Sequence, residues 1–238
     1  MRILFVNEIE GSGVTSVNGS LNYPAESIYH PFLRKKFKSL LSSDALTIDL
    51  DSAADMNCFF MGFHNVTAGT VSFFDGALSP VGTPLDLASA LDIFVAYFST
   101  ISVKRIVVDV STTSSQVFIG GIGAGVYQQM PIDLTASFPF EVTEATTISR
   151  SAGGQTSRNK APSLRSRSWT WPDLDQTEKD DLDPIVLALG IGKPVWMDLF
   201  ENNRTFDPPM YAFVKDERGL TNPSFNRYDM TINFQEAR

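Results

Sequence analysis

The sequence predicts a mainly β protein: an N-terminal antiparallel jelly roll or β-sandwich, followed by a smaller β-sandwich domain with one flanking helix. Three observations lead to this prediction. Val, Ile, Thr and Phe recur in short runs, and Phe alone occurs 18 times. Clusters of Gly, Pro, Asn and Ser separate these runs at short, fairly even intervals. Only two stretches show the apolar spacing of a helix. Such a pattern is typical of sandwiches and jelly rolls.

Strand-like runs dominate residues 1–135, which we assign to the first domain. Ala45–Asp51 alternates apolar and polar residues, as a half-buried strand does. Pro31–Leu41 instead predicts a helix, because its apolar residues at 33, 37, 40 and 41 share one helical face. The remaining predicted strands of this part are RILFVNEI, NCFFMGF, GTVSFFDG, LDIFVAYF, VKRIVVDVS and QVFIGGIGAGVY.

Residues 136–238 predict a second domain with the element order β-β-α-β-β-β. Ser137–Ser149 reads as a strand, residues 150–163 as a polar, Gly-rich loop, and Leu164–Trp171 as the next strand. The last three strands are KPVWMDLF, PMYAFVK and FNRYDMTINFQ.

A helix is predicted near residues 176–189 of this domain. Asp175 or Thr177 can serve as its N-cap, acidic residues fill its first turn, and Gly190 can end it. Pro184 is expected to break the helix or to delay its start, because proline lacks the N–H that a helix interior needs.

Two tryptophans just before this helix raise the question of a binding platform. Trp169 and Trp171 are two residues apart, so on a strand they share a face with Arg165 and Arg167. Pro172 ends the strand, and the chain then turns at once into the helix. We therefore expect burial of both indoles in the scaffold, rather than exposure to a ligand.

Charge and composition exclude several classes of function. The net charge is −8 and the pI about 4.7, which disfavours nucleic-acid and anionic-membrane binding. No apolar run approaches the ~20 residues of a membrane span, and the N-terminus has no signal-peptide pattern. We expect a chain made in the cytoplasm. One basic island interrupts the acidic chain over residues 150–167, which contain five basic residues and no acidic one.

No catalytic or metal-binding constellation is recognisable, so we predict neither enzymatic activity nor a cofactor or metal. His30 and His64 lack ligand spacing, and Cys58, the single cysteine, lies in an apolar stretch that predicts a buried thiol. The glycines of Ile119–Tyr127 indicate bulges or close strand approach rather than a phosphate loop. Asp49–Asp55 leaves a calcium loop open as a minor alternative.

The order of several motifs resembles a known class of protein. SLNYPAESIYHPFLRKKFKS, ALTIDLDSAADMNCFFMGFHNVTAGTVSFF and VKRIVVDVSTTSSQVFIGGIGAGVYQQMP follow one another between residues 20 and 131. This order resembles the discoidin-like (galactose-binding-like) jelly roll of minor structural proteins in tailed-phage tails. SRSAGGQ, RSRSWTWPDLDQTEKDDL and GKPVWMDLF resemble the C-terminal pattern of the same proteins.

The resemblance implies a structural subunit of a virion, located in the tail tip or baseplate and bound to other tail proteins in a homo- or hetero-oligomer. It implies no catalysis. A carbohydrate- or receptor-binding role for the jelly roll, with a surface glycan as ligand, is the alternative. The basic island suggests assembly contacts with acidic surfaces at Arg158, Lys160 and Arg165. Changing all three residues to Glu is expected to impair incorporation into particles.

Overall fold

The protein is described by a computed structural model, in which sixteen strands and one α-helix lie within the described residues. The described residues are 2–4, 6–29, 36–87, 93–129, 140–150, 156–189, 194–198, 208–215 and 219–237. The mainly antiparallel β architecture with a single α-helix confirms the predicted fold class. In the described part of the chain, no helix is long and apolar enough to cross a membrane.

The first ten strands follow one another between Arg2 and Gln129. A 3₁₀ helix, Ala25–Tyr29, lies between the second and third strands. In chain order the strands are β1 (Arg2–Leu4), β2 (Gly13–Ser16), β3 (Phe37–Lys38), β4 (Ser43–Gly62), β5 (Ala68–Phe74), β6 (Pro80–Asp86), β7 (Ile93–Ser111), β8 (Phe118–Ile119), β9 (Gly121–Gly125) and β10 (Gln128–Gln129).

The other strands and the helix follow in the C-terminal half. They are β11 (Phe140–Arg150), β12 (Thr156–Leu174), α1 (Gln176–Leu189), β13 (Val195–Asp198), β14 (Met210–Val214), β15 (Gly219–Ser224) and β16 (Arg227–Glu236).

The chain forms two compact units, and the first joins two separate stretches of sequence. Met1–Met130 and Val195–Tyr211 make the first unit, and Pro131–Pro194 with Ala212–Arg238 the second. The division of the sequence into 1–135 and 136–238 stays a prediction. It did not anticipate that β13 would pair with β1, where Leu4 lies opposite Trp196.

The first unit is built on a six-stranded antiparallel sheet. Its strands run in the order β2-β4-β7-β5-β6, and β9 also pairs with β4. Alternate residues of β4 and β7 point inward, and Leu46, Ile48, Ile106 and Val108 are fully buried. Phe59 lies in the same core and meets the ring of Phe73 edge to face, with 6.4 Å between centroids.

A close approach of strands in this unit explains the glycine run near residue 120. A Cβ built on Gly62 would lie 2.8 Å from the Trp196 ring, and one built on Gly123 would also overlap the indole. The two glycines therefore leave the space that Trp196 fills, stacked on Phe60 at 5.6 Å between centroids. The prediction of close strand approach is confirmed at Gly125, where an added Cβ would lie 2.7 Å from the backbone carbonyl oxygen of Val6.

A polar cluster ties β1 to the same region. The Arg2 guanidinium lies 4.1 Å from the centre of the Tyr97 ring and 4.8 Å from that of Tyr127. The Tyr97 hydroxyl donates to the carboxylate of Asp198 at 3.1 Å, and Asp198 is buried. Arginine stacking and a carboxylate acceptor allow these polar groups to be buried beside apolar ones.

The predicted helix over Pro31–Leu41 is wrong for its described residues. Phe37–Lys38 is strand β3, which pairs with β8, and Phe37 is fully buried. Residues 31–35 lie outside the described part. The physical reason is tertiary: the backbone of Lys38 and Ser39 bonds to Tyr23 and Val117, whereas a helix would use those groups internally.

The second unit contains a sheet in which β12 lies between β11 and β16. Trp169 pairs with Ile232 and Trp171 with Met230 in adjacent strands. Both tryptophans are buried, with ring centroids 5.7 Å apart, so the expectation of burial is confirmed. Met230, Ile232 and Phe234 are buried on alternate positions of β16, as predicted.

The helix of this unit begins where the sequence predicts. Asp175 is its N-cap: the backbone N–H of Glu178 donates to the Asp175 carboxylate at 2.8 Å, and the N–H of Asp175 donates to Glu178 at 3.0 Å. The expected interruption at Pro184 is wrong, because α1 runs through it to Leu189. The acidic first turn is explained by this cap and by the helix dipole.

The predicted loop over residues 150–163 is also wrong in its second half. Thr156–Ser163 belongs to β12 and pairs with β11, where Arg158 lies opposite Ile148. The register shifts by one residue between Glu144 and Thr146 of β11, and the extra residue lies in β12 beside Pro162. A proline without an N–H is accommodated by such a bulge.

Candidate binding surfaces

Two loops at one end of the first unit form a hydrogen-bonded platform. We call residues 17–23 and 39–42 the end loops. The N–H of Leu40 donates to the carbonyl of Asn18 at 2.7 Å, and that of Ser20 donates to Lys38 at 3.0 Å. The hydroxyl of Ser39, which is fully buried, donates to the carbonyl of Asn18 at 3.3 Å. These bonds fix the backbone of both loops.

The end loops expose apolar side chains in spite of this order. Leu21 is 100% exposed, Val17 75%, Leu40 59% and Leu41 52%. We call these four residues the apolar end patch. Beside them the ammonium of Lys38 lies 4.1 Å from the centre of the Tyr23 ring, which puts one cation at the border of the patch. Several exposed aliphatic side chains in neighbouring loops are uncommon on a surface that faces only water.

Sequence reasoning missed this patch, because it placed Leu40 and Leu41 on a helix. It also assigned no element to residues 17–22. A usable signal was present: Val17 and Leu21 stand alone in a run of turn-forming Asn, Gly and Ser residues. Apolar residues in such a run have no strand or helix face that would bury them.

A cleft of about 470 Å³ borders the end loops, and Val17 and Asn18 of those loops are part of its lining. Asp44, one of its residues, is buried and serves the scaffold, since it accepts from Ser16 Oγ at 2.7 Å and from the N–H groups of Asn18 and Ala45. Asp109 and Thr70 are exposed and face the cleft from β7 and β5. The full lining is Val17, Asn18, Ser43, Asp44, Ala45, Gly69, Thr70, Asp109, Val110 and Ser111.

The Asp49 carboxylate and two backbone carbonyls of Asp49–Asp55 bind cations that belong to the chain itself. The guanidinium of Arg105 binds the Asp49 carboxylate through two hydrogen bonds, of 2.5 and 3.1 Å. The ammonium of Lys104 donates to the carbonyl of Leu50 and, at 2.8 Å, to that of Asp51. Among the described residues, no group of three or more His, Cys, Asp or Glu side chains could hold a metal ion.

Of the single cysteine and the two histidines, the two residues that the structure describes are both internal. Cys58 is fully buried, as predicted, and burial raises the pKa of its thiol to about 12. Its sulfur contacts the carbonyl of Gly125 at 3.3 Å. His64 is nearly buried after β4, where its Nδ1 accepts from the N–H of Val66 at 3.1 Å. His30 lies outside the described residues.

The three predicted assembly residues are all on β12, but they differ in what the structure shows. Arg165 forms an ion pair with Glu236 at 2.9 Å, and its backbone N–H donates to the same carboxylate at 3.2 Å. The side chain of Glu236 is 0% exposed and that of Arg165 14%. Arg158 and Lys160 lie in the part of β12 that pairs with β11. Their role in assembly stays a prediction.

Comparison with known proteins found no matching family model and no matching curated protein. Solved structures of sugar-binding modules resemble about half of the chain. Chitosan-binding module 1 from a chitosanase/glucanase of Paenibacillus sp. IK-5 has a TM-score of 0.46 and 11% identity, over 51% of this chain and 99% of that one. A Streptococcus pneumoniae fucose-binding module has 0.46 and 8%, over 52% and 99%.

The lectin domain of lectinolysin, complexed with Lewis B antigen, is similar to the same extent. Its TM-score is 0.44 and its identity 9%, over 50% of this chain and 95% of that one. All three TM-scores are below 0.5, so these likenesses carry no conclusion about the ligand of this chain.

Proposed function

We propose that this chain is a non-catalytic structural subunit of a bacteriophage virion, in the tail tip or baseplate, that works by binding neighbouring proteins. The observation that carries the proposal is the apolar end patch. Four aliphatic side chains, more than half exposed, stand on loops whose backbone is already hydrogen-bonded. Several exposed aliphatic side chains on neighbouring loops are typical of a contact site for another macromolecule.

The fixed backbone of the end loops favours binding for an energetic reason. Fully burying a leucine side chain stabilises a complex by about 1.5–3 kcal/mol. A flexible loop would lose much of that gain to the entropy of ordering, whereas loops that are ordered beforehand retain it. Leu21, Leu40 and Leu41 can therefore form the apolar core of a small interface.

The order of the sequence motifs supports a phage tail protein. These motifs lie in both the N-terminal and the C-terminal part of the sequence. The basic residues of β12 fit the same role, because Arg158 and Lys160 belong to a basic island on a chain with a net charge of −8. A neighbouring copy or another acidic subunit would be attracted to them.

Incorporation into particles tests the proposal. In the phage that encodes the chain, the double variant Leu21→Glu with Leu40→Glu should be depleted from purified particles, because two carboxylates would enter an apolar contact. Phe225→Glu is the matched control, since Phe225 is 91% exposed on a turn of the second unit. Normal incorporation of the double variant, or absence of the unchanged chain from particles, would overturn the proposal.

A second variant addresses the basic island. Arg158→Glu with Lys160→Glu should weaken incorporation in a salt-dependent manner, because salt screens the attraction between charged surfaces. Arg165 is left unchanged in this variant, since its partner lies in the same chain.

The cleft beside the end loops favours a second candidate, binding of a surface glycan. Asn18, Thr70, Asp109 and Ser111 bring amide, hydroxyl and carboxylate groups to one concave surface, and such groups can hydrogen-bond sugar hydroxyls. A glycan array should then show specific binding that Asp109→Ala abolishes and Asp55→Ala, at an exposed site elsewhere on β4, leaves intact. Absence of specific binding by the unchanged chain would exclude this candidate.

A further inference from the structure

Among the described strands, β11 forms the edge of the second unit's sheet. β11 is 11 residues long and pairs with β12; no other described strand lies against it. The N–H and C=O groups of an edge strand that point away from its partner can pair with a further strand. β12 begins at Thr156, but its pairing with β16 begins only at Ser166. Among the described strands, Thr156–Ser163 therefore pairs with β11 alone.

The composition of β11 differs from that of an edge strand that resists pairing. β6, an edge of the first unit's sheet, contains Pro80, Pro84 and Gly82, the last with φ of +69°. Prolines and distortions of this kind block strand addition. β11 contains no proline, glycine or lysine, and the bulge in its pairing lies on β12.

We propose that β11 is a strand-addition site whose occupant is β11 of a second copy of this chain, paired antiparallel about Ala145. This inference deepens the proposed assembly role and rests on it only for its biological setting.

The charge pattern of the strand selects this arrangement. With Ala145 opposite Ala145 of the second copy, all 11 positions pair: Glu141 lies opposite Ser149, Glu144 opposite Thr146, and Arg150 opposite Phe140. A parallel arrangement in register would place each of these charges opposite itself, and like charges directly opposite each other are destabilising. The antiparallel arrangement also gives a closed twofold dimer.

A two-stranded ribbon has a further reason to take a third strand. Beyond the pairing of β12 with β16, Thr156–Ser163 and β11 form a two-stranded stretch among the described strands, and two strands are less stable in water than three or more. Pairing of two β11 strands would turn the β11–β12 ribbons of two copies into one four-stranded sheet, and it would satisfy the open backbone groups of both.

Cysteine cross-linking of the full chain tests the proposal. The only native cysteine, Cys58, is fully buried, so an introduced thiol reacts alone. In the proposed dimer the Cα atoms of two residues at position 145 lie about 4.5–5.5 Å apart, within disulfide reach. Two residues at position 149 lie roughly 26 Å apart, at ~3.3 Å per residue over eight positions.

Ala145→Cys should therefore form a disulfide-linked dimer under mild oxidation, whereas Ser149→Cys should stay monomeric. A mixture of Glu141→Cys and Ser149→Cys chains should cross-link to each other, which covers the case in which the first variant folds poorly. Equal cross-linking of Ala145→Cys and Ser149→Cys, or none by Ala145→Cys and the mixture, would overturn the pairing. Particle incorporation is a separate readout, so either proposal can fail alone.

Discussion

Loss of the Arg165 side chain is predicted to destabilise the second unit strongly. The guanidinium bonds the Glu236 carboxylate at 2.9 Å, and the Glu236 side chain is completely shielded from water. Arg165→Met would leave a buried carboxylate without this cation. Removing one partner of a buried pair costs about 3–5 kcal/mol, because the remaining charge keeps its desolvation penalty.

A double variant separates the ion pair from simple loss of packing. Arg165→Met combined with Glu236→Gln leaves a neutral amide whose oxygen can still accept from the backbone N–H of residue 165, now 3.2 Å from the carboxylate. We expect this variant to recover at least half of the lost stability. Arg227→Met is the control: Arg227 lies 3.7 Å from Asp173, both are well exposed, and the cost should stay below about 1 kcal/mol.

Urea unfolding followed by tryptophan fluorescence measures these differences, because Trp169 and Trp171 lie on the same strand as Arg165. The reasoning would be refuted by a cost below about 1 kcal/mol for Arg165→Met, or by no recovery in the double variant. A large cost would also mean that charge reversal at Arg165 tests the fold rather than assembly.

Three further predictions concern the scaffold. Gly123→Ala should lower the free energy of unfolding by about 1–3 kcal/mol by overlap with Trp196, and by less in a Trp196→Phe background. Equal losses in the two backgrounds, measured by thermal or urea unfolding, would contradict the packing of Trp196 against this glycine. Cys58 should be unreactive towards a thiol reagent in the folded chain and react once in denaturant. The pKa of this thiol is about 12 in the folded chain, above the ordinary 9.0, so its contribution to stability should fall as the pH rises above about 9. A difference in free energy of unfolding between the unchanged chain and Cys58→Ala that does not vary with pH would contradict this prediction. Asp175→Ala should cost about 1 kcal/mol through loss of the helix N-cap, measured by urea unfolding, whereas Asp175→Asn should retain most of that stability.

The parts of the fold that follow from local sequence were predictable. The helix at 176–189 has a capping residue and an apolar stripe, and β16 alternates Met230, Ile232 and Phe234 with polar residues. Burial of Trp169 and Trp171 followed from the same alternation and from the short turn into the helix. In each case the local pattern and the tertiary environment favour the same structure.

Other parts depend on distant residues and could not be read locally. β4 runs unbroken from Ser43 to Gly62, because β7 and β9 supply partners along its length and Lys104 bonds the carbonyls at its irregular centre. β6 contains two prolines that argue against a strand, yet it forms at a sheet edge where their missing N–H groups are tolerated.

The candidate surfaces were the least predictable part. The cleft joins residues of the loop after β2 with residues of β4, β5 and β7, and only the sheet order brings them together. The apolar end patch depends on pairing between the end loops, where Leu40 meets Asn18. The sequence predicts Arg165 as an assembly contact, but its guanidinium forms an ion pair with Glu236, which lies 71 positions away in the chain.

A cryo-EM map of the intact particle tests the central claim most directly. The account predicts density for this chain in the tail tip or baseplate, with Leu21 and Leu40 buried against a neighbouring subunit. A map in which the chain is absent, or in which the apolar end patch of an incorporated chain faces solvent, would contradict it.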